Sequence, residues 1–242
     1  METQRPMGGV ERTSNVSLPS VSRDDWYRLT KWNPEHEANF RARLKRSRTA
    51  YHKAQYLRIQ ASTLLEAGLA SAALSLLDEI SEKSAEECEA SVPLCRAQAL
   101  WVLGDKPRSF ESYMEALDAQ RRSPTRYRVA LSFAEHFHDY EDGAHRCKLI
   151  SLLDEELEHG RGASMFPHLQ YRYAVVSARL TEGLGQLEMA AAFARAALDA
   201  SDRKHSGFAN HPELGLVDSK NDLITFWLRK LATTQAGNAR RR

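Results

Sequence analysis

The pattern of hydrophobic and polar positions is most regular in residues 56–82. Apolar side chains recur there at steps of three and four residues, which places them on one face of a helix. Gly68 divides the pattern, and a glycine at this point allows the left-handed turn that ends many helices. The stretch therefore predicts two amphipathic helices folded back on each other. Their apolar faces consist of Leu57, Ala61, Leu64 and Leu65, then Leu69, Ala73, Leu76, Leu77 and Ile80.

Weaker copies of this hairpin follow in residues 93–120, 127–157 and 171–201. Gly104 and Gly185 take the place of Gly68 in two of them, whereas His138 stands there in the third unit. One hairpin cannot bury its apolar stripe alone, so several units are expected to stack. The positions that repeat the pattern are Ala97, Leu100, Tyr113, Ala116 and Leu117; Leu131, Ala134, Tyr140, Cys147 and Ile150; and Ala178, Ala190, Ala194, Ala197 and Leu198.

The alternation of large and small residues around a turn glycine resembles the tetratricopeptide repeat (TPR) family, and the resemblance covers residues 55–201. Gly68 and Gly104 are separated by close to the family's usual repeat length. The resemblance implies an all-α, TPR-like α-solenoid of about four antiparallel helix pairs, with an N-terminal basic helix and a C-terminal capping helix. The alternative is an unrelated all-helical bundle with the same packing physics.

In the TPR family, the first helices of the repeats line a concave groove that holds a peptide or a partner helix. The resemblance assigns the groove-facing positions here to Gln55, Arg58, Ser62, Gln98, Trp101, Arg128, Ser132, Glu135, Arg172, Arg179 and Glu182. The arginines among them favour carboxylates, because a guanidinium offers paired donors of matching geometry. The Lys and Asn residues with which some family members clamp a C-terminal carboxylate are missing, so that specific use is not expected.

Three regions follow from the patterning. Residues 1–32 are expected to form a flexible leader, with Trp26, Tyr27 and Trp32 docking on the first helix. Residues 33–232 are expected to form the repeat domain. Its first helix is capped by Asn33, and Pro34 is the first helical residue. A last helix, capped by Asp218 or Ser219, is expected to end near Ala232. Its apolar stripe comprises Leu223, Ile224, Trp227, Leu228 and Leu231. Residues 233–242 are expected to be a basic disordered tail.

Charge is most asymmetric in residues 41–58, where every charged side chain is positive. This basic stretch contains Arg41, Arg43, Lys45, Arg46, Arg48, Lys53 and Arg58. One interpretation is an anion-binding patch for nucleic acid or an acidic peptide. The other is a solvated helix face that pairs with the acids Asp78, Glu79, Glu82, Glu86, Glu87 and Glu89.

Composition limits the classes of protein to which the chain is expected to belong. The net charge of +2 does not by itself indicate a nucleic-acid partner. No run of apolar residues is long enough for a membrane span, and no secretory signal is evident. The three cysteines, an odd number, argue against a disulfide framework and favour a reducing cytoplasm. Cys147 is expected to be buried as a small hydrophobe.

Candidate chemistry is sparse, and neither an enzyme nor a cofactor is expected. His136, His138, His145 and Cys147 lie close in sequence, but their spacing suits a zinc site poorly because residues two apart on a helix face different ways. The loop at Gly160 and Gly162 lacks phosphate-loop spacing.

Three hypotheses remain for the function. The leading one is a protein–protein interaction scaffold or adaptor that binds a peptide or partner surface in the groove. The second is anion or nucleic-acid binding through residues 41–58 and the terminal arginines. The third is an enzyme or metal protein built on the His/Cys cluster.

Overall fold

The protein is described here by a computed structural model that covers residues 25–122, 127–139, 142–159, 166–218 and 221–238. Within these ranges it contains eleven α-helices and no strand, which confirms the all-α prediction. The predicted features at residues 1–24, Tyr140, the loop glycines, Ser219 and the terminal arginines lie outside the described residues. The helices are α1 Pro34–Leu44, α2 Ala50–Glu66, α3 Ala70–Asp78, α4 Glu82–Glu87, α5 Ser91–Val102, α6 Lys106–Arg122, α7 Val129–Phe137, α8 Gly143–His159, α9 Pro167–Gly183, α10 Leu187–Asp202 and α11 Asp222–Asn238.

The N-terminal helix α1 begins as its sequence predicts. The Asn33 side chain accepts a hydrogen bond from the His36 amide at 2.8 Å, and Pro34 occupies the first turn. A short 3-10 helix, Asp25–Tyr27, precedes α1. Trp26 and Trp32 both pack on Phe40 of α1, with ring centroids 5.6 Å apart in each case. Aromatic packing therefore fixes α1 and the segment before it on the first core cluster.

Consecutive helices form hairpins: α2 packs on α3, α5 on α6, α7 on α8, and α9 on α10. Gly68 and Gly104 end the first helices of two hairpins with φ values of 79° and 82°, a region that glycine enters without a Cβ clash. The residue after each glycine then donates its amide back into the helix, Leu69 to the Leu64 carbonyl and Asp105 to the Leu100 carbonyl. These bonds satisfy carbonyl groups that the helix end leaves open.

The third hairpin differs from the others. Helix α7 ends at Phe137, and His138 follows it with right-handed backbone angles instead of a left-handed glycine turn. In α8 the buried side chains are Leu149, Leu152 and Leu153. Cys147 precedes Leu149 by two residues and so faces another side of the helix; it is exposed, and the prediction that it is buried was wrong.

Three hydrophobic clusters run along the chain. The first joins α1 to α5, and the second joins α5 to α9 around Tyr113, Phe133 and Phe137. The third is built largely of alanines on α9 and α10, where small side chains allow close helix approach, and is closed by Leu228 of α11. The short helix α4, capped by Ser81, is a separate element between the first two hairpins.

The C-terminal helix α11 packs on α10, and its position corrects three predictions. Its first turn is capped by Asn221, whose side chain accepts hydrogen bonds from the Leu223 and Ile224 amides at 3.0 and 3.2 Å. The helix therefore starts later than a cap at Asp218 would place it, and it runs to Asn238, past the predicted end at Ala232. Leu228 and Leu231 are buried, whereas Leu223 remains 80% exposed and does not belong to the buried stripe.

The segment between α10 and α11 returns to the start of α9. The His168 amide donates to the Gly215 carbonyl at 2.8 Å, and the rings of Phe166 and Phe208 lie 5.2 Å apart. Among the described residues, no helix combines the length and the apolar character that crossing a membrane requires.

Candidate functional site

The predicted groove residues lie on the first helices of the four hairpins, at steps of three, four or seven residues within each helix. Helix α2 carries Gln55, Arg58 and Ser62; α5 carries Gln98 and Trp101; Arg128 precedes α7, which carries Ser132 and Glu135; and α9 carries Arg172, Arg179 and Glu182. Contacts join α2 to α5, α5 to α7, and α7 to α9. The four helices are therefore neighbours in chain order, and we call the side that carries these residues the first-helix face.

Between α5 and α7, the first-helix face is held by one polar and one aromatic contact. The Gln98 amide donates to the Ser132 hydroxyl at 3.2 Å. The indole of Trp101 stacks on the imidazole of His136, with centroids 4.8 Å apart and an angle of 7° between the ring planes. His136 was not predicted as a face residue, although its position four residues after Ser132 places it on the same side of α7.

Between α7 and α9, the first-helix face carries a paired ion bridge. The Arg172 guanidinium donates to both carboxylate oxygens of Glu135, at 2.7 and 2.6 Å. These hydrogen bonds raise the pKa of Arg172, so the guanidinium stays charged. Both side chains are about one-third exposed, so solvent weakens but does not abolish their attraction. Arg172 is thus committed to Glu135 in the free molecule.

At the end of the first-helix face, Arg179 is also held by contacts within the chain. Its guanidinium hydrogen-bonds to Nε2 of His138 and lies 5.5 Å from the centroid of the Trp227 ring. Trp227 of α11 donates its indole N–H to the Glu182 carboxylate at 2.9 Å. Local periodicity does not predict this role for Trp227, because the position of α11 depends on the irregular segment before it.

His138 is shifted towards its neutral form in this arrangement. Burial and the nearby charge of Arg179 both lower the pKa of His138. Its Nδ1 lies 2.8 Å from the Glu135 carbonyl oxygen and donates to it, which leaves Nε2 as the acceptor for Arg179. The Asp139 carboxylate lies 3.0 Å from Nε2 and raises the pKa of His138, which opposes the effect of burial.

Of the predicted groove arginines, Arg128 has an unused hydrogen-bond donor. Its Nη1 is buried and has no hydrogen-bond partner among the described residues. Arg58, in contrast, donates to the Gln55 side chain at 3.2 and 3.1 Å. Of the four arginines expected to attract a carboxylate, chiefly Arg128 has a donor available, while Arg58 is bonded to a neutral partner.

Arg128 borders a cavity of about 150 Å³ where α6, α7 and α8 meet. The Glu156 carboxylate of α8 forms part of its wall and accepts hydrogen bonds from the Ala130 and Leu131 amides and from the Tyr173 hydroxyl. Burial raises the pKa of Glu156, while these hydrogen bonds lower it. The carboxylate thus caps the start of α7 from a neighbouring helix. The other lining residues are Leu117, Gln120, Arg121, Tyr127, Leu152 and Glu155.

The basic stretch divides into paired and unpaired charges. Arg41 forms a two-point bridge to Glu79 at 2.7 and 2.6 Å and also contacts Glu37, so this residue follows the internal-pairing interpretation. The remaining cations of residues 41–53 are exposed, and none of them has a carboxylate within ion-pair distance in the described part of the chain. They are Arg43, Lys45, Arg46, Arg48 and Lys53.

The His/Cys cluster is dispersed by the fold. His136 is packed under Trp101 and hydrogen-bonds to the Tyr113 hydroxyl at 2.7 Å, and burial lowers its pKa to about 4. His145 lies beside Phe110, with centroids 5.8 Å apart, while Cys147 is exposed. Across the described ranges, no group of three or more His, Cys, Asp or Glu side chains is placed to hold a metal ion.

The described residues therefore present three surfaces: the first-helix face, the cavity beside Arg128, and the unpaired basic residues after α1. None of the three surfaces contains a cluster of metal-ligating side chains among the described residues. The function must be inferred from these surfaces, because no protein-family model, curated protein or solved structure matches the chain.

Proposed function

We propose that the chain is a TPR-like α-solenoid and that it serves as a protein-interaction scaffold. A peptide or partner surface binds along the first-helix face, on α2, α5, α7 and α9. The observation that carries this proposal is the side-by-side packing of these four helices in chain order, with second helices α3, α6, α8 and α10 packed on them. Such an arrangement gives a partner one extended surface instead of a closed cavity.

The side-chain contacts support a preorganised surface. Trp101 on His136 and Glu135 with Arg172 fix rotamers across helix boundaries before any partner arrives. A surface that is already ordered loses less conformational entropy on binding, which favours affinity. Trp101 and Arg172 are also of the residue types that dominate binding energy at protein interfaces.

The chemistry of the surface favours a partner with carboxylates. Arg128 has one buried donor that is unfilled among the described residues, and a partner carboxylate that enters the cavity beside Arg128 would satisfy this otherwise costly group. Arg58 could exchange its bond with the neutral Gln55 amide for a charged acceptor. An acidic peptide that reaches Arg58 and Arg128 fits these donors.

Site-specific photocrosslinking tests the location of binding. A photoreactive residue at Ser62 or Glu182 samples the two ends of the first-helix face, and the same residue at Glu111 or Ser151 samples the exposed sides of α6 and α8. We expect the same partner to be crosslinked from Ser62 and Glu182 in native extract. The control positions should give little of it.

Arg128→Gln provides a second measurement once a partner is crosslinked. Loss of a charge-assisted hydrogen bond is expected to weaken binding about tenfold. Arg108→Gln on α6, an exposed arginine outside the face, is the matched control and should leave the affinity unchanged. Equal crosslinking of the partner from the control positions on α6 and α8 would contradict binding along the first-helix face. An affinity that is unchanged by Arg128→Gln would contradict it as well.

A further inference from the structure

An open cleft of about 530 Å³ lies between the end of α1 and the start of α2. It does not belong to the first-helix face. Its wall combines cations, hydroxyl groups and aromatic rings. The lining residues are Trp26, Arg43, Arg46, Ser47, Arg48, Thr49, His52 and Tyr56.

Among the described residues, the arginines of this cleft are not neutralised by a carboxylate. Arg41 and Arg43 both lie on α1, and Arg46 and Arg48 follow it. Arg41 is bridged to Glu79, whereas the other three arginines have no ion-pair partner among the described side chains. Like charges gathered around one cavity repel each other, and an anion bound between them relieves that repulsion. Guanidinium groups also offer paired donors that match the oxygens of a phosphate.

The backbone adds to the positive potential. Helix α2 has 17 residues and carries no acidic side chain in its first turn, so the partial positive charge of its start is not offset there. Thr49 caps this start by accepting a hydrogen bond from the His52 amide at 3.1 Å. The Ser47 hydroxyl oxygen is buried at the cleft and has no hydrogen-bond partner among the described residues. A ligand oxygen could satisfy that hydroxyl group, which is costly when left unpaired.

The aromatic wall of the cleft is held in place from behind. The rings of Trp26 and Tyr56 have centroids 4.8 Å apart, and Trp26 also packs on Phe40 of α1. Both side chains are half-buried, so part of each remains open to a ligand. Aromatic side chains beside cations are the combination that binds nucleotides through base stacking and phosphate contacts.

We propose that this cleft binds a nucleotide. Its phosphate lies among Arg43, Arg46 and Arg48, and its base contacts the aromatic wall of Trp26 and Tyr56. A volume of about 530 Å³ is within the usual range of small-molecule sites. The site is independent of partner binding on the first-helix face. The nucleotide is either free or the 5′-phosphorylated end of a single strand, since both present the same phosphate and base.

Isothermal titration calorimetry of the full chain at low and moderate salt tests the proposal. The probes are AMP, UMP, inorganic phosphate and a short single-stranded oligonucleotide with a 5′-phosphate. We expect the mononucleotides to bind more tightly than inorganic phosphate, because only they contact the aromatic wall. We expect the double variant Arg46→Gln with Arg48→Gln to weaken nucleotide binding at least about tenfold.

The matched control removes two exposed charges elsewhere, by Arg203→Gln with Lys204→Gln after α10. Its affinity for the probes should equal that of the unchanged chain. If the oligonucleotide binds more tightly than the mononucleotides and depends on the same two arginines, the nucleotide is the end of a strand; equal or weaker binding identifies a free nucleotide. Absence of mononucleotide binding, equal binding of inorganic phosphate, or equal losses in both double variants would overturn the proposal.

Discussion

At the scale of single residues, His136 of the third hairpin is held by ring packing and a hydrogen bond. His136 is enclosed by Trp101 on one ring face and by the Tyr113 hydroxyl at Nδ1. Burial lowers the pKa of His136 to about 4, so the ring is neutral at physiological pH. A neutral ring can stack and accept a hydrogen bond without the desolvation cost of a charge.

The burial of His136 makes stability depend on pH in a specific window. Between about pH 6.5 and pH 4 the unfolded chain binds a proton at this ring that the folded chain does not bind. The free energy of unfolding should therefore decrease as the pH falls through this window, and the contribution of this ring should be constant above it. Urea unfolding at a series of pH values measures the slope. We expect His136→Gln to flatten it.

His211→Gln, at an exposed ring in the segment before α11, is the control and should leave the slope unchanged. Comparing each variant with the unchanged chain cancels the titration of the remaining groups. An unaltered slope in His136→Gln would show that this ring is not the group that loses stability in acid.

The residues of the first-helix face show which features can be predicted from the sequence. The three- and four-residue steps indicate which residues share a helix face, and Ser132, Glu135 and His136 follow that rule. The pairing of Arg172 with Glu135 joins residues 37 apart in the chain, so it depends on how α9 sits beside α7. Local periodicity contains no such information. The expectation for Cys147 was wrong because Leu149, Leu152 and Leu153 form the buried side of α8, and Cys147 lies on another side of the helix.

At the scale of elements, α11 decides whether the alanine-rich cluster is covered. Its inner side presents Leu228 and Leu231 to α10, while Leu223 and Phe226 face outwards, 80% and 69% exposed. The sequence grouped Leu223 with Leu228 in one stripe, but residues five apart lie on different sides of a helix. The cap was also misplaced, because Asn221, Asp218 and Ser219 are all residue types that cap helices, and only the position of α11 distinguishes them.

A pair of substitutions measures the value of the inner side of α11. Leu228 is fully buried, so Leu228→Ala should lower the free energy of unfolding by about 3 kcal/mol through lost burial and the cavity left behind. Leu223→Ala makes the same chemical change at an exposed position and should cost less than about 0.5 kcal/mol. Chemical denaturation of both variants supplies the comparison. Equal losses would mean that α11 does not pack through the side that carries Leu228.

At the scale of the whole molecule, described helices contact their neighbours along the chain and few others. Helix α2 packs on α3, α4 and α5, while α9 packs on α7, α8 and α10, and the hydrophobic clusters follow in the same order. In a chain built this way, stability is close to a sum of local terms between adjacent units. A bundle around one shared core would instead transmit a loss at one end to every helix.

Hydrogen exchange with mass spectrometry in Leu228→Ala distinguishes these two cases. A linear array predicts faster amide exchange in α9, α10 and α11, with α2 and α3 unchanged, because no cluster of the described residues joins α2 or α3 to α11. The matched variant Leu223→Ala should leave exchange unchanged throughout. Measured under native conditions, uniformly faster exchange in α2 and α3 would favour a single cooperative bundle and would remove the support for a TPR-like solenoid. Confined changes would mean that the first-helix face is assembled from units that each open separately, so a partner that bridges α2 and α9 would protect both ends at once.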